Sequence, residues 1–97
     1  MNVIFLPPAD RELEEAINFY NDQLDSLGDK FYAEVVSALN LIIAFPDGWQ
    51  KVGVNTRKCI LNRFPYLILF VIEKDKVLVT AVAHQHRHPK SYLKRAG

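Results

Sequence analysis

The sequence has little cysteine, no long apolar run and, in each half, little charge of one sign. Cys59 is the single cysteine of 97 residues. It can form no internal disulfide and excludes a metal site built of cysteines, which fits a reducing compartment. The longest apolar stretches, Tyr66 to Ile72 and Val77 to Ala83, fall far short of the roughly 20 residues that span a bilayer. The N-terminus lacks the basic start and apolar core of a secretion signal, so a cytoplasmic protein with no membrane partner is expected. The length leaves no room for a second domain, and residues 1–97 are read as one, large enough to bury roughly two-thirds of the surface of the unfolded chain.

The scarcity of one charge sign emerges only when the chain is divided. Residues 1–50 hold two basic side chains, Arg11 and Lys30, against nine acidic ones, a balance of −7. Residues 51–97 hold ten basic against two acidic, a balance of +8, so the net charge of +1 conceals two opposite poles. Such asymmetry predicts a polyanion or an acidic protein as partner of the second half. Lysines such as Lys74 and Lys76 also serve to solubilise strand edges. That role fits the last stretch less well, because Arg87, Lys90, Lys94 and Arg95 gather there with three histidines and no acid.

What is present in strength is the stretch from Arg63 to Pro89. Two runs rich in Val, Ile, Leu and Phe meet at Glu73-Lys74-Asp75-Lys76, and their length and β-branching predict a β-hairpin. With Lys74-Asp75 at the tip, Ile72 faces Val77, Phe70 faces Val79, Ile68 faces Ala81 and Tyr66 faces Ala83, large residues opposing small ones on the core side. The opposite side carries Leu67, Leu69, Val71, Leu78 and Val82 with Glu73, Lys76, Thr80 and His84. A sheet-borne function is expected on that partly polar face.

Asn2 to Leu6 reads as a short strand closed by Pro7-Pro8, and its place in the sheet stays open. Leu13, Ala16, Ile17, Tyr20 and Leu24 recur at helical spacing, with acids near the positive end of the dipole, and predict a helix from Ala9 to Asp25. Ser26-Leu-Gly-Asp29 offers an Asp-ended capping box. Phe31, Val35, Ala38, Leu39 and Ile42 mark a second helix, stopped near Phe45 by Pro46-Asp47-Gly48. Trp49 to Thr56 has no periodicity and is read as a loop, with Trp49 plugging one end of the core. Arg57 to Arg63 alternates as a strand, and because two arginines are costly to bury unpaired, Arg57 and Arg63 are placed on the open face. The expected fold is α+β, in the order β-α-α-β-β-β, a helical hairpin packed on one face of a small, mainly antiparallel sheet.

The helix pair, Pro46-Asp-Gly48, Arg57, Phe64-Pro65-Tyr66, the hairpin, and His84-Gln-His-Arg87-His-Pro89 ending in Tyr92 and Arg95 resemble, in order and spacing, the RelE/ParE superfamily of type II toxin–antitoxin toxins. The resemblance is closer to the ParE side, the plasmid stabilisation proteins. It implies a small toxin neutralised in a hetero-oligomer by a cognate antitoxin, acting on DNA gyrase or, in the RelE-like alternative, on translated mRNA at the ribosome. A further alternative is a non-toxic interaction domain that retains the fold. One fold hosts all three.

Metal-free RNA cleavage needs groups to take and to return a proton and a cation to stabilise the transition state. If the last strand continues, His84, His86 and His88 share a face with Thr80, and Arg57 or Arg63 would come from the neighbouring strand. Histidine suits both proton transfers. For a nuclease the candidate catalytic residues are Arg57, His84, Arg87 and Tyr92. Arg57 resembles the family's sheet arginine, and Arg87 and Tyr92 its C-terminal arginine and aromatic. For a binding toxin the candidate target contacts are Arg57, Arg63, His86, His88, Lys90, Lys94 and Arg95. The nucleases carry a dense set of lysines or acid/base groups around the first central strand, where this chain has only Lys51 and Lys58, so the ParE-like reading is favoured. No cofactor is expected, and with no carboxylate beside the three histidines no metal is expected either.

Overall fold

The hairpin at Lys74-Asp75 forms as its side-chain pattern predicts: β4 (Tyr66–Glu73) and β5 (Lys76–His84) pair antiparallel, with Glu73 opposite Lys76, Ile72 opposite Val77 and Phe70 opposite Val79. The computed structural model describes residues 1–93 and Arg95; the candidate contact Lys94 lies outside the described residues. Lys74 takes up the turn in the left-handed region, at φ 57. Beyond Phe70 the expected register fails. A bulge leaves Thr80 unpaired, so Leu69 meets Ala81, Ile68 meets Val82 and Tyr66 meets His84. One inserted residue reverses the side-chain alternation of everything that follows it. Val82 and His84 therefore lie on the core side and Ala81 and Ala83 on the other, the reverse of the sequence-based assignment.

Two helices cover the core side. Helix α1 (Ala9–Gln23) stops two residues before the expected Asp25, and α2 (Leu27–Ala44) ends where expected. Their apolar faces bury Ala16 from α1 and Phe31, Val35, Ala38 and Ile42 from α2 against Ile68, Phe70, Val77, Val79 and Val82. The predicted capping box does not form: Ser26 is left-handed at φ 67 and makes no side-chain cap bond. The amide of Gly28, a buried residue, instead donates to Asn21 Oδ1 of α1 at 2.7 Å. The helices cross so closely there that a Cβ on Gly28 would stand 2.1 Å from the carbonyl oxygen of Ile17. At one end Tyr20, Phe31, Phe64 and Tyr66 stack edge to face at 4.9–6.0 Å and close the core.

The five strands run in the order β1-β5-β4-β3-β2. β1 (Asn2–Phe5) lies parallel to β5, which supplies the position that the sequence left open. β3 (Thr56–Ile60) pairs antiparallel with β4, and within the stretch read as a loop Gln50–Lys51 forms a two-residue edge strand, β2, against Lys58 and Arg57. Trp49 packs against the main core. On the sheet's other face Leu67, Leu69, Ala81 and Ala83 make a second, smaller core, roofed by Tyr92 from the chain that follows β5. No helix of the described residues is long and apolar enough to cross a membrane.

Candidate functional site

The last strand ends at His84. A turn closed by Arg87 N–H on the His84 carbonyl carries His86 and His88 away from the strand, so the three histidines do not line one face. His84 lies on the helix side, its ring 5.3 Å from that of Tyr66 and 5.1 Å from that of His86. Its Nδ1 accepts the His86 amide, and His88 Nδ1 accepts that of Lys90, which opens the 3-10 turn Pro89–Ser91. Both rings therefore organise the backbone of the turn. Gln85 N–H donates to the Pro65 carbonyl, which seats this turn beside the Phe64-Pro65 bend and thus at the same end of the sheet as Arg63. Arg63, His86, Arg87, His88 and Lys90 are exposed there and form a basic end.

Arg57 does not join it. It faces Phe70 and so projects on the helix side, contrary to the open-face expectation. The desolvation argument holds in another form: the guanidinium is paired, donating to the carbonyl oxygens of Trp49 at 2.7 Å and Asp47 at 3.3 Å and lying 3.8 Å from the Asp47 carboxylate. It pins the loop that leads into β2. β4 lies between β3 and β5, and Arg57 is level with Phe70 while His84 is level with Tyr66. Four residues along the strand and two strands across put their backbones about 13 Å and about 10 Å apart in those directions.

The tail is organised by Glu12, one of the acids near the positive end of the α1 dipole. Glu12, on the first turn of α1 with a side chain one-tenth exposed, accepts from Arg95 at 2.8 and 3.0 Å, from Arg87, and from the main-chain amide of Val82 at 3.1 Å. Arg95 also donates to the carbonyl of Thr80 at 3.1 Å. β1 stops pairing with β5 near Val79, so this carboxylate and guanidinium satisfy the edge of β5 that a longer β1 would have satisfied. Burial alone would raise the carboxyl's pKa, but its bonds to Arg95, Val82 and Arg87 outweigh that and hold it below the ordinary carboxylate range. Only the dipole signal was open to sequence reasoning, since Val82 is 70 residues away.

Tyr92 is buried, 5% exposed, over the second core. Cys59 is 3% exposed, and burial pushes its thiol up to about 11, which makes it an inert packing group. Of the candidate residues the fold thus gathers Arg63, His84, His86, Arg87, His88 and Lys90 at one end of the sheet, holds Arg95 at the β5 edge, buries Tyr92 and sets Arg57 apart.

A family model described as ParE toxin of type II toxin-antitoxin system, parDE, matches residues 3–89. Among solved structures, the chain is similar to one titled chromosomal ParDE TA system from P. aeruginosa, with a TM-score of 0.74 and 14% identity over 87% of this chain and 95% of that one. That likeness is one of fold. No curated protein matches.

Proposed function

Because the chain belongs to the ParE toxin family of type II toxin–antitoxin systems, we propose that it arrests growth by binding a cytoplasmic protein target, DNA gyrase being the first candidate, and that a cognate antitoxin neutralises it. The observation that carries this reading is that two of the four groups a metal-free nuclease would converge on one phosphate stand away from His84 and Arg87: Arg57 lies elsewhere on the sheet and Tyr92 is buried. Arg57 is occupied with the carbonyls of Asp47 and Trp49. Arg87 and Arg95 are engaged by one carboxylate, and His84 Nδ1 by a backbone amide. A transition state at His84 would lack Arg57, and it would meet an Arg87 already paired with Glu12. Arg63, His86, His88 and Lys90 instead present an exposed basic end suited to contacts with a target.

The test is expression without antitoxin, followed by gyrase supercoiling and mRNA-integrity assays. The expected outcome is loss of supercoiling with intact transcripts; codon-phased cuts in mRNA would move the protein to the nucleases. His84→Gln at matched soluble expression is expected to change toxicity only several-fold, as loss of a hydrogen bond of about 1 kcal/mol would.

A further inference from the structure

We propose that two copies of this chain associate through β1, antiparallel and about a twofold axis at Ile4, joining their sheets into one. The first observation concerns main-chain groups. Asn2 N–H donates to the Asp75 carbonyl and Leu6 N–H to that of Val79, so alternate residues of β1 turn toward β5, while Val3 and Phe5 turn their N–H and C=O groups outward. Among the described residues β1 is an edge of the sheet, and those groups meet no partner. The two edges differ in protection. β2 is two residues long and carries Lys51, whereas β1 is four residues long and holds no charge, no proline and no bulge. An uncharged edge of that kind is a template for another strand.

The second observation is that this edge is complementary to itself. With two β1 strands opposed antiparallel, Val3 of one copy and Phe5 of the other form a bonded pair, and the twofold repeats it, so every outward group is satisfied by an identical strand. Ile4 then faces its own counterpart at the axis, in the unbonded position where Cα atoms approach to about 4.5 Å. Ile4 is 39% exposed and belongs to neither core. It ends a row that crosses the open face from Val71 through Leu78, and pairing continues that row into Ile4, Leu78 and Val71 of the second copy. On the helix side the rows Phe70-Val79-Phe5 and Ile72-Val77-Val3 run on into each other, the partly buried Phe5 of one copy meeting Val3 of the other. A second copy thus supplies apolar neighbours on both faces at once. Helix α1 lies over β5, so the two α1 helices would stand three strand spacings apart, about 14 Å, wider than the about 8–10 Å of helices in contact. That spacing also exceeds the Debye length of about 8 Å at physiological salt, which screens the exposed acids Asp10, Glu14 and Glu15 of one helix from those of the other.

The full chain, made by cell-free synthesis without antitoxin, is followed by sedimentation equilibrium from about 1 μM to about 1 mM, the range suited to an interface as small as one strand pair. A monomer–dimer equilibrium is expected, with isotope-filtered NOEs between Ile4 of a labelled copy and Ile4 of an unlabelled one. Ile4→Lys sets like charges directly opposite each other and weakens the dimer by about tenfold or more. Ile60→Lys, at an exposed position beside the other edge, leaves it unchanged. A chain that stays monomeric to the top of the range, a dimer indifferent to Ile4→Lys, or filtered NOEs that join other surfaces each overturn the inference. So does an edge whose Val3 and Phe5 amides gain protection from hydrogen exchange only when antitoxin is added, since its occupant is then a foreign strand.

Discussion

A carboxylate bonded to two guanidiniums and a main-chain amide loses more on protonation than an ordinary surface acid, and Glu12 is in that position. Its folded pKa is depressed, so its contribution to stability is fully present above the ordinary carboxylate range and is lost as pH falls through the depressed value. Glu12→Gln is expected to cost about 1.5–3 kcal/mol at neutral pH. The gap between variant and wild type should then close on acidification. Denaturant unfolding at a series of pH values from neutral to acid measures it; a gap that stays constant would show that the charge of Glu12 is immaterial.

At the scale of the elements, the helical hairpin depends on an absence of atoms. Gly28→Ala would place a methyl group 2.1 Å from the Ile17 carbonyl oxygen, so α1 and α2 must separate, at a cost of about 1–3 kcal/mol or more. Thermal unfolding of Gly28→Ala is expected to show a markedly lower Tm, and an unchanged Tm would mean that the crossing is looser than described. The elements themselves were readable: apolar spacing placed both helices within two residues, and the break at Lys74-Asp75 placed the hairpin. Their facing was readable only as far as local rules run. The bulge at Thr80 leaves no mark on a window of alternating Val, Leu and Ala, yet it carries His84 to the helix side. Desolvation alone predicts Arg57 on the open face, and it is the carbonyls of Asp47 and Trp49, supplied by a loop with no local signature, that let it sit on the helix side. The grip of Glu12 on the tail joins residues 70 to 83 positions apart, beyond the reach of any local pattern.

For the whole molecule, the two charge poles of the sequence become two layers. The acidic half supplies β1 and the helices, and the basic half supplies the four remaining strands but for Gln50, together with the tail. An acidic partner is therefore drawn toward the sheet and its basic end rather than toward the helices. Association with an acidic antitoxin segment is expected to slow by about 10- to 100-fold as salt rises from low to high concentration, with a smaller change in dissociation. Stopped-flow mixing at several salt concentrations measures both, and an association rate indifferent to salt would remove charge steering from the account.

The parallel pairing of β1 with β5 bears on the timing of synthesis. Asn2 finds its place beside Lys76 and Glu12 its amide at Val82, so the first strand a ribosome makes has nowhere to settle until the fifth has emerged. At about 5–20 residues per second that interval lasts seconds, during which the nascent chain has neither a closed sheet nor a basic end. Any contact that needs the closed sheet or its basic end therefore becomes available only when the chain is nearly finished.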